Sequence, residues 1–151
     1  MPPYRHTQIG YVTICALGVA CLLTAYRMSS ALEPQQAVAL VILLACMLTF
    51  SSMTVEVKDG QLSWWFGFGL IRKSVPLVDL VGGSLVRIKW YHGWGIHLLG
   101  NGWLYNVAGF RAVEFRRSDG TNFQLGTDEP EVLLAAVMIQ RTPQISAGQT
   151  A

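Results

Sequence analysis

Two uncharged apolar runs near the start of the chain limit its folding more than any other feature: Ile9 to Tyr26, 18 residues, and Ala37 to Met53, 17 residues. At about 1.5 Å per residue each would form a helix of roughly 25 to 27 Å, close to the hydrocarbon thickness of a bilayer. Backbone groups find no water in lipid, so such segments close their hydrogen bonds internally as helices. The connection Arg27 to Gln36 is ten residues long and contains Glu33-Pro34, a turn signal. An antiparallel transmembrane hairpin over residues 1–53 is expected, with helices at about 9–26 and 37–53. Tyr4, Tyr11 and Tyr26 stand near the ends of the first run, where amphipathic rings prefer to lie.

The rest of the composition agrees with a membrane protein. Apolar residues make up 52% of the 151 and charged ones 13%, a balance away from that of soluble domains. A net charge of +2 gives no basis for nucleic-acid binding. Cys15, Cys21 and Cys46 all fall within the apolar runs and have no ligand spacing, so neither a disulfide, a metal site nor a cofactor is expected. Nine Lys or Arg follow the hairpin, Arg5 precedes it and only Arg27 lies in the connection. The positive-inside rule then puts both termini in the cytoplasm, on a multi-pass protein of the plasma membrane. Ala16, Ala20 and Thr24 line one helical face and would permit close approach of another helix. A secretory signal is the competing account of the first run, with Ser29-Ser30-Ala31 as its cleavage site; the second run would still hold the chain in the membrane.

Beyond Met53 the period falls to two. Val55 and Val57 alternate with polar residues up to Asp59-Gly60, a hairpin turn, and Gln61 to Phe66 is the expected partner strand. Leu70 to Val75 reads as a third strand stopped by Pro76, and Gly82-Gly83 as a break. Val86, Ile88 and Trp90 alternate with Arg87, Lys89 and Tyr91. Trp94 to Leu99 and Trp103 to Val107 would be joined across Gly100-Asn101-Gly102. Ala112 to Arg117 and Thr121 to Gly126 complete a meander. Thr127 and Asp128 can cap a helix that starts at Pro130 and runs to about Gln140. Thr142-Pro143 ends it, leaving 142–151 as a disordered tail. The expected class is α+β: the hairpin, then over 54–141 an antiparallel β-barrel or sheet capped by one C-terminal α-helix.

Seven or eight short strands followed by one helix resemble the pleckstrin-homology-like (PH-like) barrel. The order of two membrane helices, VEVKDGQLSWWFGFG, GWGI, YNVAGFRAVEF and DGTNFQLGTDEPEVLLAA resembles bacterial membrane proteins with a small PH-like domain. That resemblance implies a bacterial cytoplasmic membrane location and carries little about function.

Within Trp90 to Gly109, Trp90 and Trp94 share faces with aliphatic residues and are expected to fill the barrel. His92 and His97 fall on opposite faces of a continuous strand, so they make no metal pair. Asp128, Glu129 and Glu131 suit helix capping better than acid–base work. No nucleophile elbow or phosphate-binding glycine loop is present, and an enzyme is not expected. Charge is the better lead. From Arg72 to Arg117 there are seven basic residues against Asp79 and Glu114. Candidate binding residues are Arg72, Lys73, Arg87, Lys89, Tyr91 and His97. The leading expectation is a noncatalytic membrane-anchored interaction module that binds a membrane protein partner or its own copies. The alternative is recognition of anionic lipid by the basic face; an enzyme on a lipid or small molecule ranks last. Phosphoinositide-binding PH domains carry a basic cluster at the first hairpin, where this chain has Lys58-Asp59-Gly60; Arg87-Ile88-Lys89 echoes it only in part.

Overall fold

The structure is a computed structural model that describes residues 3–30, 33–100 and 102–148. Its first element is a strand, β1 (Tyr4–Ile9), followed without a linker by α1 (Tyr11–Ser30) and then α2 (Pro34–Phe50). α1 is long and apolar enough to cross a membrane, and α2 is a shorter apolar helix. The two helices pack side by side. Immediately after α2 the chain enters β2 (Ser52–Lys58), which pairs antiparallel with β1 from Tyr4↔Val57 to Ile9↔Ser52. The helices are therefore an excursion between two neighbouring strands. The N–H of Gly10 donates to the Ser51 carbonyl at 2.8 Å where the helices leave the sheet.

β3 (Gln61–Phe66) and β4 (Ile71–Pro76) complete a four-stranded antiparallel sheet in the order β1-β2-β3-β4. A 3-10 turn at Leu77–Asp79 leads to β5 (Leu80–Arg87), the edge of a second sheet. β6 (Gly95–Leu99), β7 (Gly102–Asn106), β8 (Arg111–Arg117) and β9 (Asn122–Gly126) join it in the order β5-β8-β9-β7-β6. The expected antiparallel barrel is corrected in two ways. The sheets do not close on each other, and β7 pairs parallel with β9 because the β8–β9 hairpin inserts β9 between β8 and β7.

The period-two pattern places apolar side chains of both sheets on facing surfaces. Val57, Leu62 and Phe66 meet Val113, Phe115 and Leu125, and Leu133 and Val137 of α3 (Pro130–Gly148) close one side of this core. Trp64 stacks on Phe123 with centroids 5.1 Å apart, and Phe50 at the end of α2 meets Phe66 edge-on at 5.5 Å. Thr127 Oγ1 accepts from the Glu129 N–H at 3.1 Å, the cap expected for α3. His6 of β1 reaches Asp128 at 2.6 Å and Glu129 at 3.4 Å, tying the first strand to the start of that helix.

Three more local expectations change. Gly82-Gly83 does not break the chain but lies within β5 at a register shift, where a side chain on Gly83 would meet Phe115 at 3.2 Å. α3 continues through Pro143 to Gly148; proline removes one donor and crowds the carbonyl four residues back, which disturbs a helix without forbidding it. The helix thus occupies most of the stretch expected to be a disordered tail, and residues 149–151 lie outside the described residues, as does Asn101 of the expected β6–β7 turn. Finally, the strand expected over Val86 to Tyr91 stops at Arg87, and a 3-10 turn at Trp90–His92 reverses the chain. Alternation ends there. Ile88 is buried with Leu104 and Ala112, while Trp90 is 79% and Trp94 38% exposed, so neither indole fills the core.

Candidate functional site

The end of β5, the turn after it and β6 enclose an open cavity of about 690 Å³. Four of the six residues singled out from the sequence line it: Arg87, Lys89, Tyr91 and His97. Leu98, Leu99 and Gln124 contribute much of the remaining wall, and the described lining includes two cations and no carboxylate. The chain reversal at Trp90–His92 makes this possible, because it folds Lys89 and Tyr91 back toward β6. Lys89 Nζ lies 5.6 Å from the centroid of the Tyr91 ring. A hydrogen bond to the Tyr91 hydroxyl beside it holds the Lys89 ammonium above the usual lysine range. His97 Nε2 donates to the Trp94 carbonyl at 3.0 Å, which fixes the ring across the turn. The side chain of His92 lies outside the described residues.

His97 also lines a second, smaller cleft of about 260 Å³, together with Trp94, Ile96, Thr13 and Leu17. Thr13 and Leu17 belong to the first two turns of α1. Leu17 lies six residues beyond the start of that helix, roughly 9 Å along its axis. The cationic cavity therefore sits directly beside the base of the apolar helix.

Arg72 and Lys73 are not part of this cavity. Arg72 stacks on Trp65 at 4.6 Å, on the outer face of the first sheet, where Arg5 approaches the same ring at 5.5 Å. Lys73 lines a different groove, about 740 Å³, between edge strand β4 and the second sheet, with Trp103, Tyr105 and Arg117. Leu98 and Gly100 border both spaces. The six residues thus divide into a cluster of four and two separate positions.

The sequence reading missed the residue that holds the site's loops. Asn106, fully buried, donates from Nδ2 to the carbonyls of Gly109 at 3.3 Å and Gly93 at 3.5 Å, and its Oδ1 accepts from the Ala108 N–H at 3.3 Å. One amide thereby joins the turn after β7 to the loop that carries Trp90 and Tyr91. The signal was a single polar residue between apolar neighbours in Tyr105-Asn106-Val107, ahead of a glycine.

Comparison with protein-family models, with curated proteins and with solved structures finds no match.

Proposed function

We propose that this chain is a noncatalytic membrane-anchored recognition module whose cavity at Arg87, Lys89, Tyr91 and His97 takes the headgroup of an anionic lipid. In this reading α1 and α2 cross the bacterial cytoplasmic membrane as a hairpin with both termini in the cytoplasm, and the β domain, PH-like in its two sheets and C-terminal helix, rests on the inner surface. One observation carries it: His97 belongs both to the cationic cavity and to the cleft against Thr13 and Leu17 of α1. If α1 enters the bilayer, the cavity opens at the level of the headgroups. Two basic residues there would each contribute about 1 kcal/mol toward an anionic lipid.

Thermal unfolding of the full chain in a neutral detergent, with phosphatidylglycerol or phosphatidylcholine added, tests this reading. Phosphatidylglycerol should raise the midpoint and phosphatidylcholine should not. Replacing both cations, Arg87→Gln with Lys89→Gln, should weaken the apparent affinity about 30-fold, from the roughly 2 kcal/mol the pair supplies. Equal responses to the two lipids, or an unchanged affinity in the double variant, would reject it.

A second reading, binding of a protein partner or of another copy, is favoured by the groove beside edge strand β4, whose Arg72, Lys73 and Ser74 are exposed. The small-residue face of α1 supports it less, since Ala20 and Thr24 already face Gln36 and Ala39 of α2 across a shared cleft. Crosslinking in native membranes that returned monomer alone would remove this reading.

A further inference from the structure

We infer that the turn between β3 and β4, residues 67–70, is a separate point of attachment that inserts Phe68 and Leu70 into the lipid surface beside α2. The inference rests on the reading that α1 and α2 cross the bilayer, but not on what the cationic cavity binds.

Phe68 is 84% and Leu70 78% exposed. Scattered exposed apolar side chains are ordinary on a protein surface, so exposure alone assigns nothing. Position does more. The Gly67 N–H donates to the Ser52 carbonyl at 2.8 Å and the Gly69 N–H to the Phe66 carbonyl at 2.8 Å, so the turn is held at both ends. Gly67 has φ +50°, and a Cβ there would lie 2.9 Å from the Thr49 carbonyl and also against that of Leu48. The turn is thus pressed against the final turn of α2. Its two apolar side chains emerge level with the point where that helix ends, rather than on the far side of the domain.

The charge around the turn points to the same occupant. Trp65, the last outward-facing residue before the turn, lies between the guanidiniums of Arg5 and Arg72 at 5.5 and 4.6 Å. Moving away from the helices, the exposed Phe68 and Leu70 come first, then Trp65 level with its register partner Arg72, and two residues further Arg5 opposite Glu56. That is the layering of acyl boundary, interface and anionic headgroup in a cytoplasmic leaflet. A protein partner would need no such order along the membrane normal. With the helices as one anchor and this turn as another, the domain has a fixed tilt against the bilayer.

Environment-sensitive fluorophores on single cysteines would test this in the full chain reconstituted in phosphatidylcholine–phosphatidylglycerol vesicles, with Cys15, Cys21 and Cys46 replaced by alanine. Labels would be placed at Phe68→Cys, at Leu22→Cys in α1 and at Gln61→Cys in the opposite hairpin. The label at position 68 should emit to the blue and be quenched by lipid-borne nitroxide rather than aqueous iodide, as the label at position 22 is. The label at 61 should show the reverse. If position 68 instead follows position 61 while position 22 stays protected, the inference is overturned and the hairpin stands. Iodide quenching at position 22 as well would overturn both. A Leu70→Cys label serves as a second reporter of the same turn, so that a local disturbance by one probe does not decide the result.

Discussion

Gly10 and Ser51 lie 41 positions apart in sequence and are joined by a 2.8 Å backbone hydrogen bond at the point where two helices leave one sheet. The junction is crowded as well as bonded. A Cβ on Gly10 would lie 2.9 Å from the Val107 carbonyl and 3.2 Å from that of Phe50. Three segments of backbone therefore meet at a residue with no side chain: the start of α1, the end of α2 and the turn after β7.

Gly10→Ala should accordingly destabilise the protein by about 1 to 3 kcal/mol, the usual range for overpacking. Gly18→Ala supplies the contrast, since no atom of the described residues lies within 4 Å of the added methyl and alanine favours the helix by up to about 1 kcal/mol. Thermal unfolding of both variants in detergent should move the midpoint down for the first and leave it level or higher for the second.

Asn106→Ala should cost about 1 to 3 kcal/mol, because it removes a fully buried amide together with its part-buried hydrogen bonds to the Gly109 carbonyl and the Ala108 N–H. The loop at Trp90–His92 should loosen with it. Faster amide hydrogen exchange in residues 90–94, with exchange in β2 and β3 unchanged, would show that the amide acts on the site and not only on the core.

Phe66→Ala should be the most damaging single truncation of the first sheet, at about 3 to 5 kcal/mol. Phe66 is fully buried and its ring is the edge-on partner of Phe50. The loss should therefore reach α2: protease sensitivity near Ser51 should rise more than in a Val75→Ala control, whose residue lies at the other end of the hairpin.

Tyr4 gives the expected alkaline behaviour. Burial, followed by repulsion from Glu129 and Asp128, pushes its hydroxyl up to about 12 from an ordinary 10.0. A folded-state value above the unfolded one means that the native state holds the proton more tightly. The stability from this residue is complete below pH 10 and is lost as pH rises from 10 through about 12. The unfolding midpoint of the natural protein relative to Tyr4→Phe should be flat below pH 10 and should fall above it; a constant difference across that range would remove Tyr4 as the cause.

The clearest sequence signals were those with one dominant cause. Val55 and Val57 alternate into the core, Asp59-Gly60 turns the chain, and Thr127 caps a helix that begins at Pro130. β1 was invisible for a physical reason. Its inward positions are Tyr4, His6 and Gln8: only the Tyr4 ring packs on the core, while His6 and Gln8 make polar contacts such as Gln8 Nε2 to the Ala108 carbonyl at 3.1 Å, so no apolar alternation marks the strand. Trp90 failed in the opposite way. Its spacing continued a strand pattern, but the 3-10 turn at Trp90–His92 interrupted the period and turned the ring outward. Of the site residues, the four within ten positions of one reversal came together, since local geometry unites neighbours. Arg72 and Lys73 depended on how two sheets pack, which a single strand's pattern does not contain.

The pairing of Tyr4 with Val57 also joins two strands that lie on either side of both helices in the chain. β1 is made before both helices, and its strand partner among the described residues, β2, is made after them. Docking of α1 against α2 shortens the effective loop between the two strands from dozens of residues to the one contact at Gly10 and Ser51, and so removes most of the entropy of closing it. Helix pairing and completion of the first sheet are therefore energetically coupled through that junction.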